Sequence, residues 1–486
     1  MSLTFDLIII GAGPGGEACA ANAADLGLTV AIIEHALVGG ECAYYGCMPS
    51  KALLRPAQAL AEARRVPGAA EATRATVNVP AALTRRDEVV HGLHDDARAE
   101  RLRKRAGVTL FRGRGRLAGC KLVSVEASDG SPAITLTAVR AVALCTGTTA
   151  FLPPIEGLAD AGPWTNREAT NARRVPQRLI VLGGGPVGAE LAQAFATLGS
   201  HVTIVEGGER LLAREEPFAS DAVAAAFTRQ GITLHLGVKA VRAEREAAGL
   251  PVRIELADGT LLEADELLVS AGRSPNTADL GLETVGVVLN PDGFLVTDNH
   301  MHVAARLGPA DHQHSDDKAW LYALGDVTGR PAFTHTAVYH AQVAARNMVG
   351  DSACECVEDL VGAPRVTFTE PQVAAVGHTL DSARAAGINA IAVDRAIDRL
   401  AAASFHGRGV PAPARVLIDA DSEAVIGATF VGADVAELLH AVTIAIVGEV
   451  PLDRLQHAVA PFPTRSEIWG ALIKAAAREL ANAAAQ

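Results

Sequence analysis

Two stretches of the chain carry the same order of apolar and polar positions. Residues 8–34 are IIIGAGPGGEACAANAADLGLTVAIIE, and residues 180–206 are IVLGGGPVGAELAQAFATLGSHVTIVE. Each begins with a short apolar run, continues through a glycine-rich turn and an alanine-rich segment, and ends in a second apolar run that closes on an acidic residue. The second copy follows the first by 172 positions without a gap. This pattern predicts two strand–turn–helix–strand units.

The turn of each unit has the spacing Gly-x-Gly-x-x-Gly, which is typical of a dinucleotide-binding unit when a strand precedes it and a helix follows. The first glycine allows a tight turn, the second lets backbone N–H groups approach a pyrophosphate, and the third lets the helix pack against the strand. The phosphates then lie at a helix N-terminus, where free N–H groups and the helix dipole favour anions. The predicted cofactor-binding glycines are Gly11, Gly13, Gly16, Gly183, Gly185 and Gly188.

The acidic residues that close the two units, Glu34 and Glu206, fall where a carboxylate can hydrogen-bond ribose hydroxyls. A carboxylate at position 206 repels a 2′-phosphate, so the sequence favours NAD(H) over NADP(H), although Arg210 is near enough in sequence to moderate this preference. The alternative is a pair of structural units without ligands. Two full fingerprints, each with an acid in register, favour two bound dinucleotides instead.

The pattern outside the repeats predicts the order of the domains. The second unit closes in DELLVSAGRSPNT, whereas the first breaks off after RAVALCTGTTAFLPPIEG and resumes at WLYALGDVTG. From about position 362, the sequence pattern changes and predicts alternating strands and helices. We therefore expect an α/β fold, with a discontinuous Rossmann-like domain over 1–150 and 271–350, a second one over 151–270, and a C-terminal α+β domain over 351–486.

Composition and charge narrow the choice of partners. The chain has 486 residues, a net charge of −12 and a pI near 5.7, which argues against nucleic acid or an anionic membrane as a main partner. No apolar run reaches the roughly 18 residues that span a bilayer, and the opening MSLTFDLIII lacks the basic region of a signal peptide. We therefore expect a cytoplasmic protein, in which a close cysteine pair is catalytic or metal-binding rather than structural.

Such a pair occurs in GGECAYYGCMPSK, where four residues separate Cys42 from Cys47. We expect both at the beginning of a helix through PSKALLRPAQAL, where the helix dipole favours the thiolate. Zinc is the alternative, but a bare C-x4-C without a second pair is a poor zinc ligand set. Cys354 and Cys356 are expected as incidental thiols of an exposed polar linker, with a second redox pair as the alternative. The histidines of 300–317 are expected in a solvated surface insertion, with a metal site as the alternative.

Taken in order, these motifs resemble those of the flavoprotein disulfide reductases, the family of lipoamide dehydrogenase, glutathione reductase and mercuric reductase. The resemblance covers nearly the whole chain. It rests on Gly11-x-Gly13-x-x-Gly16 with Glu34, Cys42 and Cys47 before Pro49-Ser50-Lys51, Cys145-Thr146-Gly147, Gly183-x-Gly185-x-x-Gly188 with Glu190, Gly272-Arg273-x-Pro275-Asn276, Gly325-Asp326 and Phe368-Thr369-x-Pro371. It implies FAD in the first unit, a nicotinamide nucleotide in the second, and a C-terminal dimerisation domain that makes the protein a homodimer.

The resemblance also implies roles for single residues. A flavin takes a hydride from reduced nicotinamide and passes two electrons onward; the disulfide of Cys42 and Cys47 would accept them, with Cys47 towards the flavin and Cys42 towards the substrate. Lys51, paired with Glu190, would lie near the reacting edge of the flavin, where a positive charge stabilises the reduced anion. Asp326 would contact the ribityl–pyrophosphate region of FAD. The remaining implied cofactor contacts are Thr146, Gly147, Gly272 and Gly325.

One position departs from the family pattern. In disulfide-reducing relatives, a histidine precedes Pro-Thr, is held by a glutamate three residues after the threonine, and moves the proton in thiol–disulfide exchange. Here Phe462 stands before Pro463 and Thr464, and Glu467 follows. Phenylalanine cannot carry a proton, so Glu467 is a candidate catalytic residue without its expected partner. Efficient turnover of an ordinary dithiol such as dihydrolipoamide is therefore disfavoured.

The leading hypothesis is a FAD-dependent NAD(P)H oxidoreductase that passes electrons through Cys42 and Cys47 to a disulfide or another small-molecule acceptor. The alternatives are lipoamide dehydrogenase proper, an NAD(P)H:quinone or metal reductase that bypasses the dithiol, and a redox-sensing flavoprotein with little turnover. Mercuric reductase is disfavoured, because the terminal ARELANAAAQ lacks the cysteine pair that those enzymes use to hand over mercury.

Overall fold

The structure is a computed structural model that describes residues 3–73, 76–304, 319–357, 362–405 and 412–484. The chain divides into two compact units. The first unit consists of Met1–Pro49, Asp87–Ala150 and Arg273–Asp359, and the second of Ser50–Arg86, Phe151–Gly272 and Leu360–Gln486. The α/β class predicted from the sequence is confirmed, while the predicted domain boundaries stay a prediction.

The elements are numbered in chain order over the described residues. The strands β1–β20 are Leu3–Ile10, Val30–Glu34, Val108–Gly119, Leu122–Ala127, Ile134–Leu144, Thr148–Ala150, Arg178–Leu182, His201–Glu206, Thr233–Leu236, Ala240–Glu244, Val252–Leu256, Leu261–Ala264, Glu266–Val269, Arg273–Pro275, Leu321–Ala323, Arg365–Thr367, Gln372–Gly377, Ala390–Ala396, Pro413–Asp419 and Val425–Gly432. The α-helices α1–α13 are Pro14–Asp25, Gly40–Tyr44, Cys47–Arg65, Val79–Val89, Asp96–Lys104, Asn166–Thr170, Pro186–Thr197, Pro217–Arg229, Thr334–Met348, Leu380–Ala385, Leu439–Val447, Leu452–Leu455 and Glu467–Ala484. Short 3-10 helices occur at Ala70–Ala72, His91–Leu93, Leu282–Val285, Gly325–Thr328, Ile397–Arg399, Ala401–Phe405 and Val435–Leu438.

The first unit is built on a parallel sheet in the order β3-β2-β1-β5-β15, and β4 pairs antiparallel with β3 and β5. Alternate residues of β1 face opposite layers: Leu7 and Ile9 pack with α1 and α9, whereas Ile8 and Ile10 pack with β4, β5 and the segment around Leu282. Because both faces are covered, the second half of β1, Leu7–Ile10, is a continuous apolar run in the sequence rather than an alternating one.

The second unit contains the parallel sheet β13-β7-β8-β9 and the antiparallel sheet β10-β11-β12. On one face of β7, Val181 packs with α7 and α8 through Phe195 and Phe227. On the other face, Ile180 packs with β11 through Ile254. The same layering on both faces explains the apolar run that begins the second repeat in the sequence.

The C-terminal part of the second unit is an antiparallel sheet in the order β16-β17-β20-β19-β18. Its core joins Val416 and Phe430 to Val442 of α11 and to Ile468 and Leu472 of α13. This arrangement is the α+β architecture that the change in sequence pattern near position 362 predicts. No helix in the described part of the chain combines the length and the apolarity that crossing a bilayer needs.

Candidate active site and cofactor sites

The first glycine turn leaves an open cradle at the carboxyl end of β1. Gly11 has φ +103°, and a Cβ there would lie 2.4 Å from the Cys145 carbonyl oxygen; a Cβ on Gly16 would lie 2.0 Å from the Gly11 carbonyl oxygen. Around Gly13, in contrast, no atom beyond those of Gly13 and its two chain neighbours lies within 4 Å of the position of a Cβ. Helix α1 begins at Pro14 without a side-chain cap, so its first N–H groups face this open space. The cradle fits a pyrophosphate.

The second glycine turn has the same geometry at the end of β7. A Cβ on Gly183 would lie 2.5 Å from the Ser270 carbonyl oxygen, and one on Gly188 would lie 2.0 Å from the Gly183 carbonyl oxygen. The space around Gly185 is again open to 4 Å, and α7 begins at Pro186 without a side-chain cap. The repeat in the sequence is therefore a repeat of anion cradles, one in each unit.

The two acids that close the repeats are braced in the same way. Glu34 is buried, and its carboxylate accepts hydrogen bonds of 2.7 Å from the N–H groups of Ala12 and Ala36. The carboxylate of Glu206 accepts from the N–H groups of Gly184, at 2.5 Å, and Gly208, at 2.7 Å. Backbone donors thus fix both carboxylates beside their glycine turns, with lone pairs left for ribose hydroxyls.

Thr146 and Gly147 form the turn after β5, and Asn276 locks this turn. The Thr146 hydroxyl donates to the Asn276 carbonyl at 2.8 Å, the Asn276 side-chain amide donates to the Thr146 carbonyl at 2.9 Å, and the Asn276 N–H donates to the Gly147 carbonyl at 3.0 Å. In the sequence, Asn276 is recognisable only as part of the family motif Gly272-Arg273-x-Pro275-Asn276. The structure shows what it does, which is to fix the neighbouring turn.

Asp326 lies at the carboxyl end of β15, in the same edge of the first sheet. It follows Gly325, whose φ is +72°, and its Oδ2 accepts a 2.8 Å hydrogen bond from Thr148 Oγ1. Arg273 Nε donates to Thr148 Oγ1 at 2.6 Å and lies 3.9 Å from Asp326 Oδ2. Gly272, which is also a predicted cofactor contact, belongs to the second unit. There its carbonyl accepts a hydrogen bond from the Phe151 N–H at 3.0 Å.

The cysteine pair is divided between two helices. Cys42 lies in the five-residue helix α2, whereas Cys47 is the first residue of α3. The expectation that both begin one helix is therefore wrong for Cys42. The cause is the chain around Gly39, which adopts φ +114° and starts a separate turn of helix before α3.

The two thiols differ in their surroundings. Cys42 is half-buried and Cys47 is exposed. Cys47 Sγ lies 3.7 Å from the hydroxyl oxygen of Thr334, the first residue of α9. This contact was missed by sequence reasoning, since nothing in the chain signals that residues so far apart meet. The position of Cys47 at a helix N-terminus is the one that favours a thiolate.

Lys51 and Glu190 form the ion pair that the resemblance implied. Lys51 Nζ lies 2.7 Å from Glu190 Oε2, which also accepts a 3.3 Å hydrogen bond from Ser50 Oγ. The other carboxylate oxygen accepts from the backbone N–H of Phe368 at 2.9 Å, and Lys51 Nζ stands 4.8 Å from the centroid of the Phe368 ring. All four residues belong to the second unit. Nothing in the sequence indicates the contact between Phe368 and Lys51.

The segment that departs from the family pattern is displayed on the C-terminal sheet domain. The Phe462 side chain is 76% exposed in the single chain. Glu467 begins α13, and its Oε1 accepts a 3.0 Å hydrogen bond from the Thr464 N–H. The carboxylate therefore caps the helix that it starts. Burial lowers the pKa of Arg465, and the nearby Asp434 carboxylate opposes that effect.

The described histidines of the proposed insertion are paired with protein groups. His302 lies 3.0 Å from an Asp298 carboxylate oxygen and 3.1 Å from the Tyr322 hydroxyl. The rest of the insertion, residues 305–318, lies outside the described residues. Within the described ranges, no group of three or more His, Cys, Asp or Glu side chains is arranged to hold a metal ion. Cys356 is only 2% exposed and packs in the core of the first unit, so the expected exposed linker is wrong at that position.

Comparison with known proteins adds to this geometry. Residues 5–341 match the family described as pyridine nucleotide-disulphide oxidoreductase, and residues 363–473 match its dimerisation domain. The chain is 34% identical over 470 residues to a mercuric reductase of Acidithiobacillus ferrooxidans, covering 95% of this chain and 80% of that protein. It is 32% identical over 475 residues to a dihydrolipoyl dehydrogenase of Chlamydia muridarum, covering 96% of both.

Solved structures of the same architecture include two with high coverage. The Cu(II) complex of the HOCl-induced flavoprotein disulfide reductase RclA from Escherichia coli is 26% identical, with a TM-score of 0.82 over 98% of this chain and 99% of that one. LpdA from Mycobacterium tuberculosis is 25% identical, with the same TM-score of 0.82 and the same coverage. These similarities extend over both units of the chain.

Proposed function

Because the chain belongs to the pyridine nucleotide-disulphide oxidoreductase family, it is a FAD-dependent oxidoreductase with a pyridine nucleotide site, and we propose that it passes electrons from NADH through a Cys42–Cys47 disulfide to a small-molecule acceptor. Family membership confirms the interpretation of the sequence in these coarser respects: the fold class, the FAD dependence and the C-terminal dimerisation domain. The route of the electrons, the choice of nucleotide and the acceptor are the proposal.

The observation that carries the proposal is the placement of Cys47, exposed at the first position of α3 and five positions after Cys42. FAD, when bound, supplies the chemistry of hydride acceptance from a reduced nicotinamide. The two cysteines supply the next step, in which the electron pair is accepted. A disulfide between their Sγ atoms takes up two electrons and two protons, the S–S bond breaks, and two thiols result. The helix dipole at Cys47 stabilises the thiolate form that attacks or is released in such an exchange.

The residues proposed to hold FAD are the first glycine cradle, Glu34 and the braced turns at Thr146, Gly147 and Asp326. Each is an open or polar position at the carboxyl edge of the first sheet: the space around Gly13 is empty to 4 Å, and the carboxylates of Glu34 and Asp326 are fixed by hydrogen bonds. A ligand in an open α/β sheet binds outside the carboxyl ends of the strands, which is where these groups lie. The site therefore fits a dinucleotide.

We propose NADH as the preferred donor, because Glu206 places a fixed carboxylate beside the second cradle. Its carboxylate is held by two backbone N–H groups and cannot swing away from the ribose position without losing both bonds. Arg210, the cation that would otherwise attract a 2′-phosphate, donates Nη2 to the Ala213 carbonyl at 3.0 Å. A fixed carboxylate disfavours the 2′-phosphate of NADPH.

The acceptor is proposed to be one that does not need a proton from the position of Phe462. The phenyl ring has no titratable group, and the carboxylate of Glu467 is already engaged by the Thr464 N–H. Loss of a general acid or base typically costs on the order of a hundred- to ten-thousand-fold in rate. A quinone, a metal ion or an unusual disulfide therefore suits this chain better than dihydrolipoamide, although lipoamide dehydrogenase activity proper is the second candidate.

The dimerisation domain supports a homodimer, and we propose that the segment around Phe462 completes the site of the partner subunit. Exposed apolar side chains of this domain, Ile444, Val447, Val459 and Phe462, are the ones that assembly would cover. We also propose, from the net charge of −12, that neither nucleic acid nor an anionic membrane is a partner of the protein.

A panel of acceptors tests the route of the electrons. Purified, FAD-loaded wild type and Cys42→Ser are given NADH with lipoamide, a small disulfide, a quinone or a metal ion, and the rate of NADH oxidation is measured. Turnover that depends on the dithiol falls to background in Cys42→Ser. Equal rates in the two proteins with every acceptor would mean that the cysteines are bypassed, and the proposed route would be wrong.

A further inference from the structure

The Lys51 ammonium has an aromatic neighbour as well as an acidic one. Its nitrogen stands 4.8 Å from the centroid of the Phe368 ring and 2.7 Å from Glu190 Oε2. A cation within about 6 Å of an aromatic centroid is attracted by the negative face of the ring. The ammonium is therefore held by two groups of different kinds, of which only the carboxylate is charged.

Phe368 is itself held by side chains of two helices. Its backbone N–H donates to Glu190 Oε1 of α7 at 2.9 Å, and its carbonyl accepts from Gln58 Nε2 of α3 at 2.7 Å. Two residues on, the N–H of Glu370 donates to Gln193 Oε1 of α7 at 2.7 Å. The backbone on both sides of the ring is thus tied to α3 and α7, the helices that carry Lys51 and Glu190.

The Phe368 ring also has apolar neighbours. It lies against an apolar cluster that includes Leu53, Leu54 and Leu198. A leucine at this position would fill much of the same space, but it would present no negative face to an ammonium. Since packing alone would be satisfied by an aliphatic residue, the aromatic character of position 368 serves the cation rather than the core.

We propose that Phe368 is a positioning residue that fixes the Lys51 ammonium beside Glu190 and thereby raises the reduction potential of bound FAD. This inference rests on the proposed function: Lys51 lies one turn of α3 beyond Cys47, one of the two cysteines proposed to take electrons from the flavin, so its charge would stabilise the reduced, anionic flavin. Phe368 acts through Lys51. When the ring is lost, the ammonium gains freedom and water, and the stabilisation that it gives to a nearby negative charge becomes weaker.

The test compares Phe368→Leu and Phe368→Tyr with wild type as FAD-loaded dimers. Each midpoint potential is measured by anaerobic dye equilibration. A cation–π contact typically changes an equilibrium by roughly threefold to thirtyfold, which for a two-electron couple is about 15 to 45 mV. The midpoint potential of bound FAD is expected to be more negative by that amount in Phe368→Leu. In Phe368→Tyr it is expected to equal that of the wild type. Phe405→Leu, the same change at an exposed ring, is the control and should not shift the potential.

A charge-neutral background shows whether the effect passes through Lys51. In Lys51→Met/Glu190→Gln, adding Phe368→Leu is expected to leave the potential unchanged, whereas the same shift in both backgrounds would overturn the positioning role. A wild-type potential for Phe368→Leu would also overturn it. If FAD in wild type is not reduced by NADH, the proposed function fails instead. Thermal unfolding of each variant, followed by flavin release, separates a loss of fold from a change of potential.

Discussion

Lys51 and Glu190 form an ion pair of 2.7 Å in which the carboxylate is almost fully buried and the ammonium is one-third exposed. The carboxylate accepts hydrogen bonds from three groups, which are the Ser50 hydroxyl, the Phe368 N–H and the Lys51 ammonium. A buried carboxylate needs such partners, since an uncompensated charge in the interior is strongly destabilising. Removing only one partner of this pair is therefore expected to lower the free energy of unfolding.

Breaking the pair from the side of the lysine should destabilise the fold more than removing both charges. In Lys51→Met, the buried Glu190 charge loses its partner, and we expect a loss of about 1 to 3 kcal/mol in the free energy of unfolding. In Lys51→Met/Glu190→Gln no charge is left unpaired, and most of that loss should be regained. Chemical unfolding of the three proteins measures this. A double variant that is less stable than Lys51→Met would contradict the assignment of Glu190 as the buried, partner-dependent charge.

The open spaces in the two glycine cradles predict a separation of effects. A Cβ at Gly13 or Gly185 meets no atom of the chain within 4 Å, so Gly13→Ala and Gly185→Ala should fold normally. Each added methyl occupies space proposed for a pyrophosphate, and overpacking of about 1 to 3 kcal/mol corresponds to roughly 5- to 150-fold weaker binding. Gly13→Ala should lose FAD affinity, whereas Gly185→Ala should keep its FAD and raise the KM for NADH.

Absorbance spectra of the purified variants and steady-state kinetics test that separation. Each glycine variant serves as the control for the other, since the chemical change is the same and only the cradle differs. A Gly185→Ala protein that loses FAD while its KM for NADH is unchanged would reverse the assignment of the two cradles.

Removing the charge of Glu206 should relax the choice of nucleotide. Glu206→Gln keeps an oxygen that can accept from Gly184 or Gly208 but no longer repels a 2′-phosphate. We expect the ratio of kcat/KM for NADH over that for NADPH to fall by roughly tenfold to a hundredfold. The ratio is measured by anaerobic flavin reduction with each nucleotide. The equivalent change in the first cradle, Glu34→Gln, is the control and should leave the ratio as it is.

Restoring a proton carrier at position 462 should favour dithiol substrates. Phe462→His provides an imidazole just before Pro463 and Thr464, in the segment that Glu467 caps. We expect dihydrolipoamide oxidation to rise by about tenfold or more, because a positioned general base contributes typically a hundred- to ten-thousand-fold. Phe462→Leu is the control and should show no gain. An unchanged rate in Phe462→His would mean that proton transfer at this position does not limit dithiol turnover.

The cofactor cradles could be predicted from the sequence because their constraints are local. Gly11 and Gly16 lie close together in sequence, and the need for glycine arises from the turn that joins them. The pairing of Lys51 with Glu190 came only from the resemblance to a family, since no local rule joins two positions so far apart. Phe368 belongs to a family motif, but its contact with Lys51 depends on the tertiary packing of α3 and α7.

The misplaced features have physical reasons as well. Cys42 lies outside α3 because Gly39, in the left-handed region, starts a separate short helix before it. Cys356 follows a polar stretch, which predicts exposure, but its N–H donates to the Asn299 carbonyl at 2.7 Å and draws the side chain into the core of the first unit. Both outcomes depend on backbone geometry or on a distant partner, neither of which the hydrophobic pattern encodes.

The most direct test of the central claim is an anaerobic titration of the FAD-loaded dimer with NADH. A working Cys42–Cys47 disulfide beside a reducible flavin should let the wild type take up one more equivalent of NADH per FAD than Cys42→Ser does, because the disulfide stores a second electron pair. Flavin absorbance and NADH absorbance give both quantities in one experiment. Equal uptake by the two proteins, or a wild-type flavin that NADH does not bleach, would contradict the account.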